Sequence, residues 1–318
     1  MARDKGKEER LAAARGRMTA SSITPCGSSD ARRVDVLTRL MVACVVAGLL
    51  SSTPQCVHGQ TRRPESPKTP PVAPLRPPSE ASIPDGPLGE AIRQGERILS
   101  HTPVYAKAYV GARVHCTSCH LDRGRQAWAA PWAGIWGLFP EYSSRSARVE
   151  DLEDRINDCF ERSMNGKPLP RDGEEMRAVL AYMSWLSRGV PTGTAVAGRG
   201  FLRIKPLREP DRTKGKEVYA AKCAACHRPD GQGITSPNGE PVFPPLWGPH
   251  SFNIGAGMAR LDTAAAFVKA KMPLGQGETL TDQEAYDVAA YFTREPRPDF
   301  AGKDRDWPKG NKPADARY

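Results

Sequence analysis

The chain lacks any apolar stretch long enough to cross a bilayer. The run Leu40 to Leu50 is the strongest candidate, and it falls well short of the ~20 residues that a spanning helix needs. Apolar residues are scarce overall, at 39%, which is low for a globular enzyme of 318 residues. The 30 prolines and 29 glycines leave limited room for long regular elements. Also missing is a Lys/Arg stripe with interleaved aromatics, so the formal charge of +10 does not point to nucleic acid. Without residues 1–59 the balance is 37 Lys and Arg against 31 Asp and Glu, a mild excess suited to small anions.

The same short apolar run, placed after an Arg-rich start that ends at Arg39, reads as a secretory signal rather than an anchor. Residues 1–59 are therefore expected to be a leader, with the mature chain starting near Gln60 and no stable membrane insertion after cleavage. Its unusual length makes Met18 an alternative start, and a lipid anchor at Cys44 or Cys56 is a minor alternative. Residues 60–86 form a proline-rich spacer with little to bury.

Cysteine is scarce where it is not committed. Of eight, Cys26, Cys44 and Cys56 lie in the leader, and four belong to two pentads, Cys116-Thr-Ser-Cys119-His120 and Cys223-Ala-Ala-Cys226-His227. A Cys-x-x-Cys-His pentad attaches haem by two thioethers and presents its histidine to the iron. One pentad alone could be an accidental zinc or redox site. Two, each followed by a distal-ligand candidate and a closing helix, predict two covalently bound haem c groups. Porphyrins then supply apolar core that the sequence is short of, and covalent haem agrees with export to the periplasm.

The order helix, pentad, long loop, distal ligand, closing helix occurs twice. It predicts a mainly α chain of two tandem cytochrome c-type haem domains, 87–188 and 213–318, joined by a Gly/Pro/Arg-rich linker, 189–212. The polar tail from Pro296 is expected to wrap the surface. Helices are expected over Val149–Met164, Glu174–Leu186 and about Thr263–Ala270, with a capping box at Thr281–Glu284 opening the last.

For the second haem, Met258, Met272, His250 and Lys271 are the distal candidates. Met272, 45 residues beyond His227 in a Met-Pro turn before the closing helix, is favoured. Lys271 beside it is an amine that can exchange with the thioether. For the first haem the candidates are Cys159 and Met164. Met164 continues the apolar row Leu152, Ile156, Phe160, so core packing accounts for it. Cys159 lies off that row, and its helical neighbours are Arg155, Arg162 and Ser163. Two guanidiniums and a hydroxyl around sulfur favour thiolate for iron or for reaction, and form a fork for an oxyanion. The bland alternative is a buried inert cysteine among surface ion pairs.

The runs Cys116-Thr-Ser-Cys-His-Leu-Asp122, Leu152-Glu-Asp-Arg-Ile-Asn157, Cys159-Phe-Glu-Arg-Ser-Met-Asn-Gly166, Phe243-Pro-Pro-Leu-Trp-Gly248 and Met272-Pro-Leu-Gly275 resemble the dihaem thiosulfate dehydrogenase family over roughly residues 85–300. The resemblance implies that His120 and Cys159 ligate a catalytic haem 1, while His227 and Met272, or Lys271 in one redox state, ligate an electron-relaying haem 2. It also implies that Arg145, Arg155 and Ser163, and more loosely Arg162, lie near substrate. The expected reaction couples two thiosulfate anions into tetrathionate in either direction, with Cys159 leaving the iron to join the S–S chemistry. Electrons would pass to a soluble acceptor, a small cytochrome c or a high-potential iron–sulfur protein. The alternatives are a dihaem relay without substrate, and a sulfur-carrier cytochrome acting on a partner's cysteine.

Overall fold

The structure, a computed structural model, describes residues 72–318. The leader and residues 60–71 of the spacer lie outside the described residues. Among those described, no helix is long and apolar enough to cross a membrane.

In the first domain, α1 (Pro87–Ser100) begins with proline at its first position, where a missing N–H costs nothing. Ile92, Ile98 and Leu99 are buried against α5 (Glu174–Leu186), which spans the predicted residues and buries Met176, Val179, Tyr182 and Trp185. Short helical turns α2 (Thr102–Tyr105) and α3 (Leu121–Gly124) flank the first pentad. Helix α4 (Leu152–Arg162) is shorter than the predicted Val149–Met164. Asp151 stops it at the front, accepting from the Asp154 N–H at 2.8 Å. Val149 instead lies in an antiparallel hairpin, β2 (Glu141–Ser143) with β3 (Arg148–Glu150), which the sequence reading did not foresee. The expected row holds, with Leu152, Ile156, Phe160 and Met164 all buried.

The second domain repeats the plan. Helix α6 (Arg212–Lys222) is capped by Asp211 and runs into the second pentad through α7 (Ala224–His227). Helix α8 (Leu261–Lys271) exceeds its predicted range at both ends, and α9 (Asp282–Arg294) carries the Thr281–Glu284 capping box. Their core gathers Tyr219, Trp247, Tyr286, Val288 and Phe292.

Each domain is tied by one crossing of its entry and closing helices, and each crossing is made at glycine. A Cβ on Gly95 would sit 2.0 Å from the Ala178 carbonyl oxygen of α5, and one on Gly215 would sit 1.9 Å from the Asp287 carbonyl oxygen of α9. Such contacts are possible only where a side chain is absent.

Three connecting segments do more than the sequence reading allowed. The described end of the spacer is anchored: β1 (Val72–Ala73) pairs in parallel with β4 (Ala195–Val196), and Leu75 and Ile83 pack on the first core. The linker runs along the first domain. Its Gly198 and Gly200 carbonyls accept from Trp128 N–H (2.7 Å) and Ala130 N–H (2.8 Å), and Phe201 bridges to Ala129. The tail from Pro296 has apolar anchors, because Phe300 and Trp307 are buried.

We predict that Gly95→Ala and Gly215→Ala each destabilise the haem-loaded protein by roughly 1–3 kcal/mol through overpacking of backbone on backbone. Thermal unfolding would read this as a lowered Tm, whereas Gly257→Ala, with nothing within 4 Å of its Cβ position and no left-handed backbone, should cost less.

Candidate functional site

A cavity of about 1370 Å³ runs through the fold and is lined by both pentads. Around each proximal histidine the chain repeats one device. His120 directs Nδ1 at the Ala130 carbonyl (2.7 Å), and His227 directs Nδ1 at the Pro244 carbonyl (2.9 Å). A carbonyl only accepts, so each Nδ1 carries the proton and each Nε2 is left as an unprotonated ligand nitrogen. Burial holds the His120 imidazolium form down, to a pKa of about 4. Trp132 lies tilted over His120, ring centroids 4.8 Å apart. Four residues past each histidine, Gly124 and Gly231 take left-handed backbone (φ +77° and +70°) beneath Trp132 and Trp247.

These residues fit haem. The four pentad cysteines are unpaired and line the cavity. Burial raises the Cys116 and Cys119 thiols to about 12 and the Cys223 thiol to about 11, a penalty on charge that a thioether removes outright. Among the described residues no cluster of three His, Cys, Asp or Glu side chains could cage a metal ion instead.

Cys159 lies on α4 and faces the same cavity as Cys116, Cys119 and His120. Arg155 Nη1 donates to its sulfur at 3.0 Å. The proximity of that sulfur holds the Arg155 guanidinium above its ordinary range. The Arg155 side chain is 45% accessible and lines the cavity, so it has surface left for an anion. Ser163, at the end of α4, lines the cavity as well.

Arg145 sits at the turn of the β2–β3 hairpin, with Nη1 donating to the Gly255 carbonyl at 2.9 Å. Its guanidinium is below its usual range because burial strips it of water. Arg162 does not join the expected fork around sulfur. Its hydrogen bonds go to Asp158 and to Asp306 (2.7 Å), and its guanidinium lies 4.3 Å from the Phe300 ring centre. The reason is local: Asp158 is one turn back on the same helix, and the tail supplies a second carboxylate.

Asp158, next to Cys159, is the residue the sequence reading used only as a generic surface ion pair. It lies 3.6 Å from Arg155 Nη1 and 3.9 Å from Arg145 Nη1, besides bonding Arg162. Three guanidiniums thus share two carboxylates, Asp158 and Asp306. Among these five side chains one positive charge is left over, before the Cys159 sulfur and the cavity-lining Glu141 and Glu150 are counted.

At the second pentad, Met272 ends α8, packs at the edge of that domain's core and lines the cavity. Met258 also lines it. Lys271 and His250 are not among the residues lining the cavity. Burial lowers the Lys271 ammonium from its ordinary value.

Residues 103–192 match the family model for the SoxA/TsdA cytochrome c domain, and residues 213–293 match that for cytochrome c. The thiosulfate dehydrogenase of Allochromatium vinosum is 50% identical over 235 residues, covering 73% of this chain and 87% of its own. That of Psychrobacter arcticus is 47% identical over 243 residues, covering 76% and 74%. The chain belongs to the thiosulfate dehydrogenase family. Its two cytochrome c domains carry two covalently bound haems, and the mainly helical tandem expected from the sequence is the fold. Among solved structures of the family, the as-isolated thiosulfate dehydrogenase (TsdBA) from Marichromatium purpuratum superposes with a TM-score of 0.68 at 45% identity. The match covers 71% of this chain, which spans half the length of that one.

Asp158→Ala removes the carboxylate shared by three guanidiniums, one of them mostly buried. We predict a loss of roughly 1–3 kcal/mol, read as a lower denaturant midpoint for the haem-loaded protein. Asp158→Asn should recover part of it by keeping a hydrogen-bond acceptor for Arg162.

Proposed function

We propose that this family member is an exported, periplasmic dihaem cytochrome that oxidises thiosulfate and joins two of the anions as tetrathionate. The observation that carries the reading is the 3.0 Å contact of Arg155 Nη1 with the Cys159 sulfur, in the wall of the cavity that holds both pentads. When bound, the haems supply one-electron acceptors beside the reacting sulfurs. His120 and Cys159 are the residues that would hold the first iron. His227 and Met272 would hold the second, with Lys271 the alternate in one redox state.

The reaction is 2 S₂O₃²⁻ → S₄O₆²⁻ + 2 e⁻, so no proton need move. Two dianions must approach each other, and that repulsion has to be offset by fixed positive charge. Arg155 and Arg145 provide it, Arg155 with accessible surface and Arg145 held at the hairpin turn. Ser163 adds a hydroxyl donor. A route consistent with this geometry bonds the Cys159 sulfur to the outer sulfur of one thiosulfate, with two electrons leaving. Attack by the second thiosulfate then forms the new S–S bond, breaks the first and returns the thiolate. In reverse the same steps cleave tetrathionate. The electrons leave for a soluble carrier, a small cytochrome c or a high-potential iron–sulfur protein.

We predict that Cys159→Ala keeps both haems attached and loses at least about a hundredfold in thiosulfate-dependent reduction of an artificial one-electron acceptor. Equal activity in parent and variant would remove Cys159 from the chemistry. Met272→Ala should also retain both haems and lower the potential of the second, seen as a separated wave in a redox titration. An unchanged titration would dismiss Met272 as the ligand.

A further inference from the structure

Arg145 belongs to the first domain by sequence, yet apart from Asp158 at 3.9 Å the contacts that fix it come from the second. It lies in the turn between β2 and β3, beyond the paired residues Ser143 and Arg148. Its backbone carbonyl accepts from the Trp307 N–H at 2.6 Å. Its guanidinium carbon lies 5.3 Å from the centre of the Trp307 ring. Its Nη1 is taken by the Gly255 carbonyl, and its Nε is 4.0 Å from Asp306 Oδ2.

Trp307 is an unusual residue for a tail. It is only 8% exposed, and it lines the cavity. Its backbone is left-handed (φ +56°), a conformation that bulky residues rarely adopt and that persists where the surroundings over-determine it. Asp306 is bonded to Arg162 and to the Tyr318 hydroxyl, the Tyr318 ring stacks 5.7 Å from the indole, and Phe300 underlies Arg162. The tail is thus clamped on both sides of Trp307, and what the clamp presents to the hairpin turn is an aromatic face and one N–H.

We propose that Trp307 is a positioning residue for the first-domain site: its indole and its N–H hold Arg145 so that the guanidinium faces the arriving sulfur oxyanion. This rests on the reading of Arg145 as a substrate arginine. It makes the last twenty residues of the second domain a working part of the first domain's site. A cation over an indole face is favourable by enough to matter when partly desolvated, and the indole's flatness sets the plane of the guanidinium. The second domain then contributes more than electron relay, because its Gly255 carbonyl, Asp306 and Trp307 join Asp158 of the first in holding the arginine.

The test is steady-state thiosulfate oxidation by the dihaem protein in Trp307→Ala, Trp307→Phe, Arg145→Ala and the double variant Trp307→Ala/Arg145→Ala, each with its Tm. Trp307→Ala should raise KM about tenfold with kcat within about threefold, while Trp307→Phe, which keeps an aromatic face, stays near the parent. Arg145→Ala should raise KM at least as much, and the double variant should be no worse than Arg145→Ala alone, because the two residues act as one. If Arg145→Ala raises KM while Trp307→Ala does not, or if the two effects add, the inference falls and the proposed function stands. If Arg145→Ala leaves KM unchanged, the substrate reading of Arg145 falls and the inference with it. A lowered Tm and kcat with unchanged KM in Trp307→Ala would mean a structural role only, and would also overturn it. Should Trp307→Ala fail to yield a dihaem protein, Trp307→Leu, which keeps bulk without the π face, carries the same expectation.

Discussion

An imidazole offers a clean ligand nitrogen only while its other nitrogen is occupied, and this fold is arranged to keep it so. His120 and His227 each spend Nδ1 on a main-chain carbonyl, from Ala130 and Pro244. A carbonyl can serve that purpose only if its loop is immobile. Tryptophans clamp both loops against left-handed glycines, Trp132 on Gly124 and Trp247 on Gly231. The Leu246 N–H to Gly231 carbonyl bond closes the second loop, and the Trp132 N–H to Gly124 carbonyl bond closes the first, each at 2.8 Å. The proximal half of each site is therefore the same machine built twice.

The halves differ on the opposite side of the cavity. The second domain lines its side with the Met272 thioether and apolar neighbours. The first presents a thiol beside a guanidinium, within a network of three arginines and two aspartates. Charge on this scale is costly to hold in an apolar wall unless it is paired. The pairing gives each buried guanidinium a partner, while Arg155 keeps accessible surface for an anion. Asp158 and Asp306 approach that network from different domains.

Much of this was legible in the sequence because it is local. Pentad spacing, the apolar row on α4, the extent of α5 and the capping box before α9 all involve residues within one or two helical turns. What escaped were contacts between segments far apart in the chain. Arg162 was assigned to the sulfur because helical spacing brings it near. The structure gives its Nη2 to Asp306, which lies 144 positions away and has no local signature. The tail reads as polar because Phe300 and Trp307 are isolated among charged residues, with no periodicity to announce burial. Val149 and Glu150, the end of β3, read as the start of a helix because nothing but Asp151 marks the boundary, and a single capping residue is a weak signal against an apolar row.

The linker carries a final consequence. The carbonyl of Ala130 steadies His120, and the N–H of the same residue is bonded to Gly200, in the strand of chain that leads to the second domain. The covalent junction between the domains is thus also a brace for the proximal ligand of the first. A hinge there would be felt at the imidazole within a few bonds. The segment that joins the two cytochrome c domains is thereby part of the first pentad's surroundings and not merely a tether.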